Sequence, residues 1–187
     1  MRPAQHLRLN RLALPLLGVT AALGACAPKA PNTPPPPPIS YAEAILYNGT
    51  GQRMGTLSLL PQGGTLQGTL QLNNGALTPG AHGMHIHAVG KCTPPDFTSA
   101  GAHLNPGNKQ HGTENPEGPH EGDLPSLVAN EAGGAQTSFT VNASFDELFD
   151  VDGAAFVIHA DPDDMKTDPS GNSGARVLCG VIYRKQR

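Results

Sequence analysis

From residue 89 to residue 122 the chain runs for 34 positions through Pro, Gly, Asn and Thr without an apolar run. A structureless stretch of that length inside a compact domain is uncommon and is usually functional. Something other than a hydrophobic core is therefore expected to order it. Residues 160–175 (ADPDDMKTDPSGNSGA) have the same character. A fold for this chain has to be a frame of short elements that carries two long loops.

The frame reads as strands. Runs with strand character occupy 41–47, 54–60, 65–72 and 82–88, and later 124–129, 136–143, 154–159 and 176–183. In 65–72, Leu66, Leu70 and Leu72 share one phase and Gln67, Thr69 and Gln71 the other, the period of a half-buried strand. Gly63-Gly64 between two runs signals a hairpin. With 23 Gly and 19 Pro to interrupt longer elements, the eight runs predict an all-β, eight-stranded antiparallel sandwich or flattened barrel. Residues 146–149 (DELF) predict a single helical turn. The formal charge of −3 and the scattered basic residues argue against nucleic acid as a partner.

The N-terminal region reads as a separate signal. Arg2, Arg8 and Arg11 precede a short apolar run at 12–23, too short for a comfortable membrane span, which needs about 20 apolar residues. Leu23-Gly24-Ala25-Cys26 resembles the bacterial lipobox, so residues 1–25 are read as a lipoprotein signal peptide and Cys26 as the acylated residue. Without the three leader arginines, nine Lys plus Arg face fifteen Asp plus Glu, and the mature chain carries −6. Residues 26–39 hold the acylated Cys and a Pro-rich linker, seven prolines falling within 28–38, and extended polyproline makes that linker a stalk. The folded domain spans 40–187. If Cys26 is acylated, Cys92 and Cys179 remain as an even pair in a disulfide-permissive compartment, as a bond or as two thiols.

The chemistry-bearing residues lie in and beside the long loops. His85 and His87 stand at i and i+2 of a strand run, so both side chains leave one face. His103, His111 and His120 follow in the first loop, with Asp123 just beyond it. Imidazoles with one carboxylate suit Zn²⁺ or Cu²⁺, and metal binding would order a loop that lacks a core. Spacing alone favours a metal site over surface histidines or a metal-scavenging patch without excluding them.

Five segments then resemble one family. Residues 80–87 (GAHGMHIH), 99–112 (SAGAHLNPGNKQHG), 120–124 (HEGDL), 156–164 (FVIHADPDD) and 174–182 (GARVLCGVI) are similar, in order, to motifs of the copper/zinc superoxide dismutases. The likeness covers the domain from about residue 41, in a bacterial exported lipoprotein form. It implies a Greek-key arrangement of the strands. It also implies copper at His85, His87, His103 and His159, and zinc at His103, His111, His120 and Asp123, with His103 bridging. Asp163 takes the place of the family's outer carboxylate, which would link His85 to His111. His82 falls at a non-ligand position suited to hydrogen bonding. Arg176 matches the arginine beside the copper, and Cys92 and Cys179 match the intrasubunit disulfide.

The implied activity is dismutation of superoxide to molecular oxygen and hydrogen peroxide by alternating reduction and oxidation of the copper, with the zinc structural. Arg176 and His103 are the implied catalytic residues; Lys166 and Lys109 are weaker candidates for drawing the anion in. The implied setting is antioxidant defence outside the cytoplasm, in the cell envelope or periplasm, with a lipid anchor at Cys26 in a bacterial membrane. Met84 and Leu104 stand where the family often has aromatics and are expected to remain packing positions. Residues 92–98 (CTPPDFT) are longer than the simplest family spacing, which bears on the contacts of a homodimer. The competing class is a non-catalytic metal-binding lipoprotein on the same fold. Loss of a copper ligand or of the arginine would favour it, and all are present.

Overall fold

Alternation builds the sheet. In a computed structural model that describes residues 40–186, β1 (Ser40–Asn48) buries Ala42, Ala44 and Leu46 and leaves Ile45 and Tyr47 outward. The same phase recurs in β2 (Arg53–Gln62) with Leu57 and Leu59, and in β3 (Thr65–Leu72) with Leu66, Leu70 and Leu72. The hairpin between β2 and β3 turns at Gly63 and Gly64, both at positive φ (58° and 95°), a conformation that favours glycine. The residues read as signal peptide and linker, Cys26 among them, lie outside the described residues.

The remaining strands are β4 (Gly80–His82), β5 (Met84–His87), β6 (Leu127–Ala129), β7 (Ala135–Val141), β8 (Ala155–His159), β9 (Arg176–Val181) and β10 (Tyr183–Gln186). All pairings are antiparallel, in the order β5-β8-β9-β1-β2-β3-β7, with β10 also on β1 and with β4-β6 as a separate pair. The all-β architecture agrees with the sequence reading. The eight runs become ten strands because two of them break. The run at 82–88 divides at Gly83, where a Cβ would stand 2.5 Å from Ser173 Oγ, so the 160–175 loop presses directly on the backbone there. The last run divides at Ile182, which turns into the core and donates its N–H to Ala154.

The predicted helical turn is α1 (Phe145–Leu148), started by a capping box between Ser144 and Glu147. Leu148 is its buried anchor.

One expectation needs correcting. The 89–122 loop does carry a small core of its own. β8 is buried on both faces: Phe156 and Ile158 join the main core, while Ala155 and Val157 meet Phe97, Ala100 and Cys179 on the other side. A single phenylalanine was not visible as an apolar run. Met84 and Leu104 are buried in the main core as packing residues.

Candidate metal centre

Backbone pairing delivers the histidines. β5 pairs with β8 on one edge, and on the other it is zipped to the loop: Leu104 donates to Ile86 (2.8 Å), Ile86 to Gly122 (2.9 Å) and Gly122 to Leu104 (2.8 Å). Bridges between His87 and His103 and between His85 and Asp123 result. A register shift between Ile158 and His159 sets His159 opposite Arg176 across β8 and β9. Residues from three distant segments thus converge on one sheet edge.

Four buried nitrogens define the first group. Among the described residues, the buried side-chain polar atoms without a hydrogen-bond partner are His85 Nδ1, His87 Nε2, His103 Nε2 and His159 Nε2. Ligand atoms of these four residues lie within 4.8 Å of one another. Each ring is steered by its other nitrogen: His87 Nδ1 donates to the Gly101 carbonyl (2.9 Å) and His159 Nδ1 to that of Gly174 (3.2 Å). An unsatisfied buried polar group costs about 1–3 kcal/mol, and a cation accepting four lone pairs removes that cost. Burial keeps the rings neutral, lowering His87 to about 2, His159 to about 3 and His103 to about 4. The residues fit a nitrogen-ligated metal such as copper.

The second group forms around one oxygen. Asp123 Oδ1 lies 3.0 Å from His103 Nδ1, 2.9 Å from His111 Nδ1 and 3.2 Å from His120 Nδ1. Its Oδ2 is anchored by the N–H groups of Gly112 (2.8 Å) and His120 (3.0 Å). Burial opposes the charge on Asp123, but the hydrogen bonds from His103 and His111 overcome it and hold the carboxyl well below the usual range. Three imidazoles and a carboxylate fit zinc. A tight set of ligand atoms can also be drawn from His85, His103, His111 and Asp123. His85 Nε2, however, is committed to Asp163, and its Nδ1 belongs with the first group, whereas His120 shares the Asp123 oxygen. His103 alone presents one ring nitrogen to each group.

Asp163 joins the two. Its Oδ2 accepts from His85 Nε2 (2.7 Å) and its Oδ1 from His111 Nε2 (3.0 Å). His111 therefore lies between two carboxylates. Burial would lower its pKa, yet the bonds to Asp123 and Asp163 raise it to about 9. His82 stands apart, with Nδ1 2.8 Å from the His159 carbonyl and Nε2 2.9 Å from that of Thr78.

An open cleft reaches the first group and is lined by His87, His103, His159, Thr98 and Arg176. Both terminal nitrogens of Arg176 donate to backbone carbonyls, Nη1 to Phe97 (2.8 Å) and Nη2 to Gly101 (2.7 Å). The disulfide Cys92–Cys179, spanning 87 residues, ties the start of that loop to β9. Lys166 and Lys109 are not among the residues lining the cleft, and Lys166 pairs with exposed Glu114 at 3.6 Å. Sequence reasoning missed Asp168, whose Oδ1 accepts the His111 N–H (2.7 Å) and lies 3.7 Å from His120 Nε2. Four aspartates crowd 160–175, and nothing in their spacing singles it out.

Residues 54–182 match the family model for copper/zinc superoxide dismutase. The chain is 40% identical over 146 residues to a copper-zinc superoxide dismutase of Aquifex aeolicus, covering 74% of this chain and 85% of that one. It is 34% identical over 185 residues to that of Deinococcus radiodurans, covering 90% and 94%. Among solved structures, a SOD-like protein from Bacillus subtilis superposes with a TM-score of 0.71 at 38% identity, covering 75% of this chain and 97% of that one.

Proposed function

The chain belongs to the copper/zinc superoxide dismutase family, and from that premise we propose which of its residues perform the reaction and where. It is an oxidoreductase acting on superoxide with copper and zinc as cofactors. In the reading advanced here, His85, His87, His103 and His159 hold copper, and His103, His111, His120 and Asp123 hold zinc. The observation that carries it is the set of four unpartnered buried nitrogens beside three imidazoles gathered on one carboxylate oxygen. When bound, the copper supplies one-electron redox chemistry and the zinc a fixed charge that keeps the loop in place.

The chain's own residues do the rest. Two superoxide anions and two protons become O₂ and H₂O₂. Arg176 attracts the anion by charge, since its hydrogen-bonding fork is already committed to backbone carbonyls. His103 Nε2, on the cleft side, is the atom at which the chain holds and returns a proton. Asp163 fixes the rings of His85 and His111 from behind, orienting both ligand sets through one carboxylate.

Export to the cell envelope, with residues 1–25 removed and Cys26 acylated, is part of the same proposal. The Cys92–Cys179 disulfide supports export, because such bonds persist in oxidising compartments. The domain at 40–187 would then stand off the membrane on the 26–39 linker and serve antioxidant defence there, as a monomer or a homodimer.

The test is metal content and superoxide consumption on the purified protein. Copper and zinc are expected in equal amounts, with rapid consumption of superoxide. Uptake of both metals without activity would assign the chain to the non-catalytic metal-binding class instead.

A further inference from the structure

We propose that Asp96 is the counter-charge of the substrate cleft: it partly cancels the field of Arg176 and so limits how fast small anions, superoxide among them, are drawn in. The inference rests on the reading of the cleft given above and adds a residue that sets its rate.

Among the described residues lining the cleft, Arg176 is the one with a fixed charge. The turn that holds it also holds Asp96. Phe97, whose carbonyl takes Arg176 Nη1 at 2.8 Å, is the next residue. It is 1% exposed and left-handed at φ 56°, so the turn is pinned by the small core beneath it. On the other side of Phe97, Thr98 lines the cleft and donates its N–H (3.1 Å) and hydroxyl (3.0 Å) to Asp96 Oδ1. The carboxylate is thereby fixed in solvent, one residue from the carbonyl that grips the guanidinium. The Thr98 N–H and hydroxyl also keep Asp96 below the usual carboxyl range, and its charge in turn acts on Arg176.

The consequence is electrostatic. An incoming anion meets the Arg176 field reduced by a carboxylate that does not move away. Asp96 contributes no ligand and touches no reacting atom. It is a rate-setting residue.

The experiment uses the full-length, copper- and zinc-loaded protein. Asp96→Asn removes the charge and keeps a side-chain oxygen for Thr98. Exposed Glu131→Gln, in the β6–β7 turn, makes the same change in net charge away from the cleft. Two quantities are read: the superoxide rate constant against ionic strength, and, on the diamagnetic copper(I) form, the affinity of inorganic phosphate followed by the NMR signals of the Arg176 side chain. Asp96→Asn is expected to raise the rate and the phosphate affinity about two- to threefold at low ionic strength, the effect of one nearby unit charge across solvent. The gain should disappear near 1 M salt, where the Debye length is about 3 Å. Glu131→Gln should change neither. An Asp96→Asn protein with unaltered phosphate affinity and salt slope, or with a gain that persists at high salt, overturns the proposal. If the unmodified protein consumes no superoxide, the dismutase reading fails, and the phosphate affinities still decide the role of Asp96.

Discussion

At the scale of single residues, the centre depends on which nitrogen carries a proton. His111 faces carboxylates from both ring nitrogens, Asp123 at 2.9 Å and Asp163 at 3.0 Å, and its pKa is raised to about 9. In the metal-free protein at neutral pH it is an imidazolium. If it binds zinc through Nδ1, as proposed, it must give up that proton, whereas His103, lowered to about 4, is already neutral and can shift its one remaining proton from Nδ1 to Nε2. Zinc uptake near pH 7 is therefore expected to release about one proton per ion from His111, falling toward none above about pH 9. Calorimetric titration in buffers of different ionisation enthalpy measures the number. Release that stays constant through that range would remove His111 from the ligand set. The low values at His87 and His159 have the opposite meaning, since burial keeps those lone pairs free without competition from protons.

At the scale of elements, the two halves of the first long loop are ordered by different means. The segment 92–101 is held by Phe97 and Ala100 against the outer face of β8, and by the bond from Cys92 to Cys179. The segment 103–123 is held by backbone bonds to β5 and by the carboxylates of Asp123, Asp163 and Asp168. Replacing both cysteines with serine should act on the first. The disulfide closes a loop of 87 residues, which is worth about 4–5 kcal/mol in the chain-entropy model. Urea unfolding is expected to reveal a loss of that order. Activity should fall more than metal content, because both carbonyls that hold Arg176, those of Phe97 and Gly101, lie on the freed segment, whereas of the histidines in the two groups only His87 bonds to it, through the Gly101 carbonyl. Equal loss of copper and of activity would show that the bond supports the metal site directly.

At the scale of the whole molecule, the metals and the fold are coupled through titration. His87, His103 and His159 have folded-state pKa values below their ordinary 6.5. The stability they contribute is present above 6.5 and is lost as pH falls through about 4 and then lower, because the unfolded chain binds the protons first. His111 runs the other way: raised to about 9, its contribution is complete below 6.5 and is lost as pH rises through 9. The chelated protein should therefore be most stable near pH 6.5 and weaken on both sides, as read by thermal unfolding across pH. Restoring copper and zinc should raise the melting temperature and flatten the acid side, since ligand lone pairs engaged by metal no longer take protons at moderate pH. A metal-free protein with no stability maximum between pH 5 and 9 would contradict this coupling.

Much of this was legible in the chain. The alternation of β1 to β3, the Gly63-Gly64 turn, the helical turn at Ser144 and the order of the histidines follow from local chemistry, and local chemistry is written in sequence. The motif resemblance named the ligand candidates for the same reason, because motifs are short and keep their spacing. The division of β4 from β5 at Gly83 was not legible, since it arises from Ser173, ninety residues away. Neither was Phe97 as the anchor of the first loop, the choice of Asp168 among four aspartates, nor the bulge that sets Arg176 opposite His159. The sequence by itself determined the composition of the candidate centre: six histidines and an aspartate, three of the histidines in a long loop that a hydrophobic core alone does not order. Only the tertiary structure decided which ring nitrogen faces which group, because that depends on the partner each other nitrogen finds. Those partners, the carbonyls of Gly101 and Gly174 and the carboxylate of Asp163, come from segments brought together by the sheet.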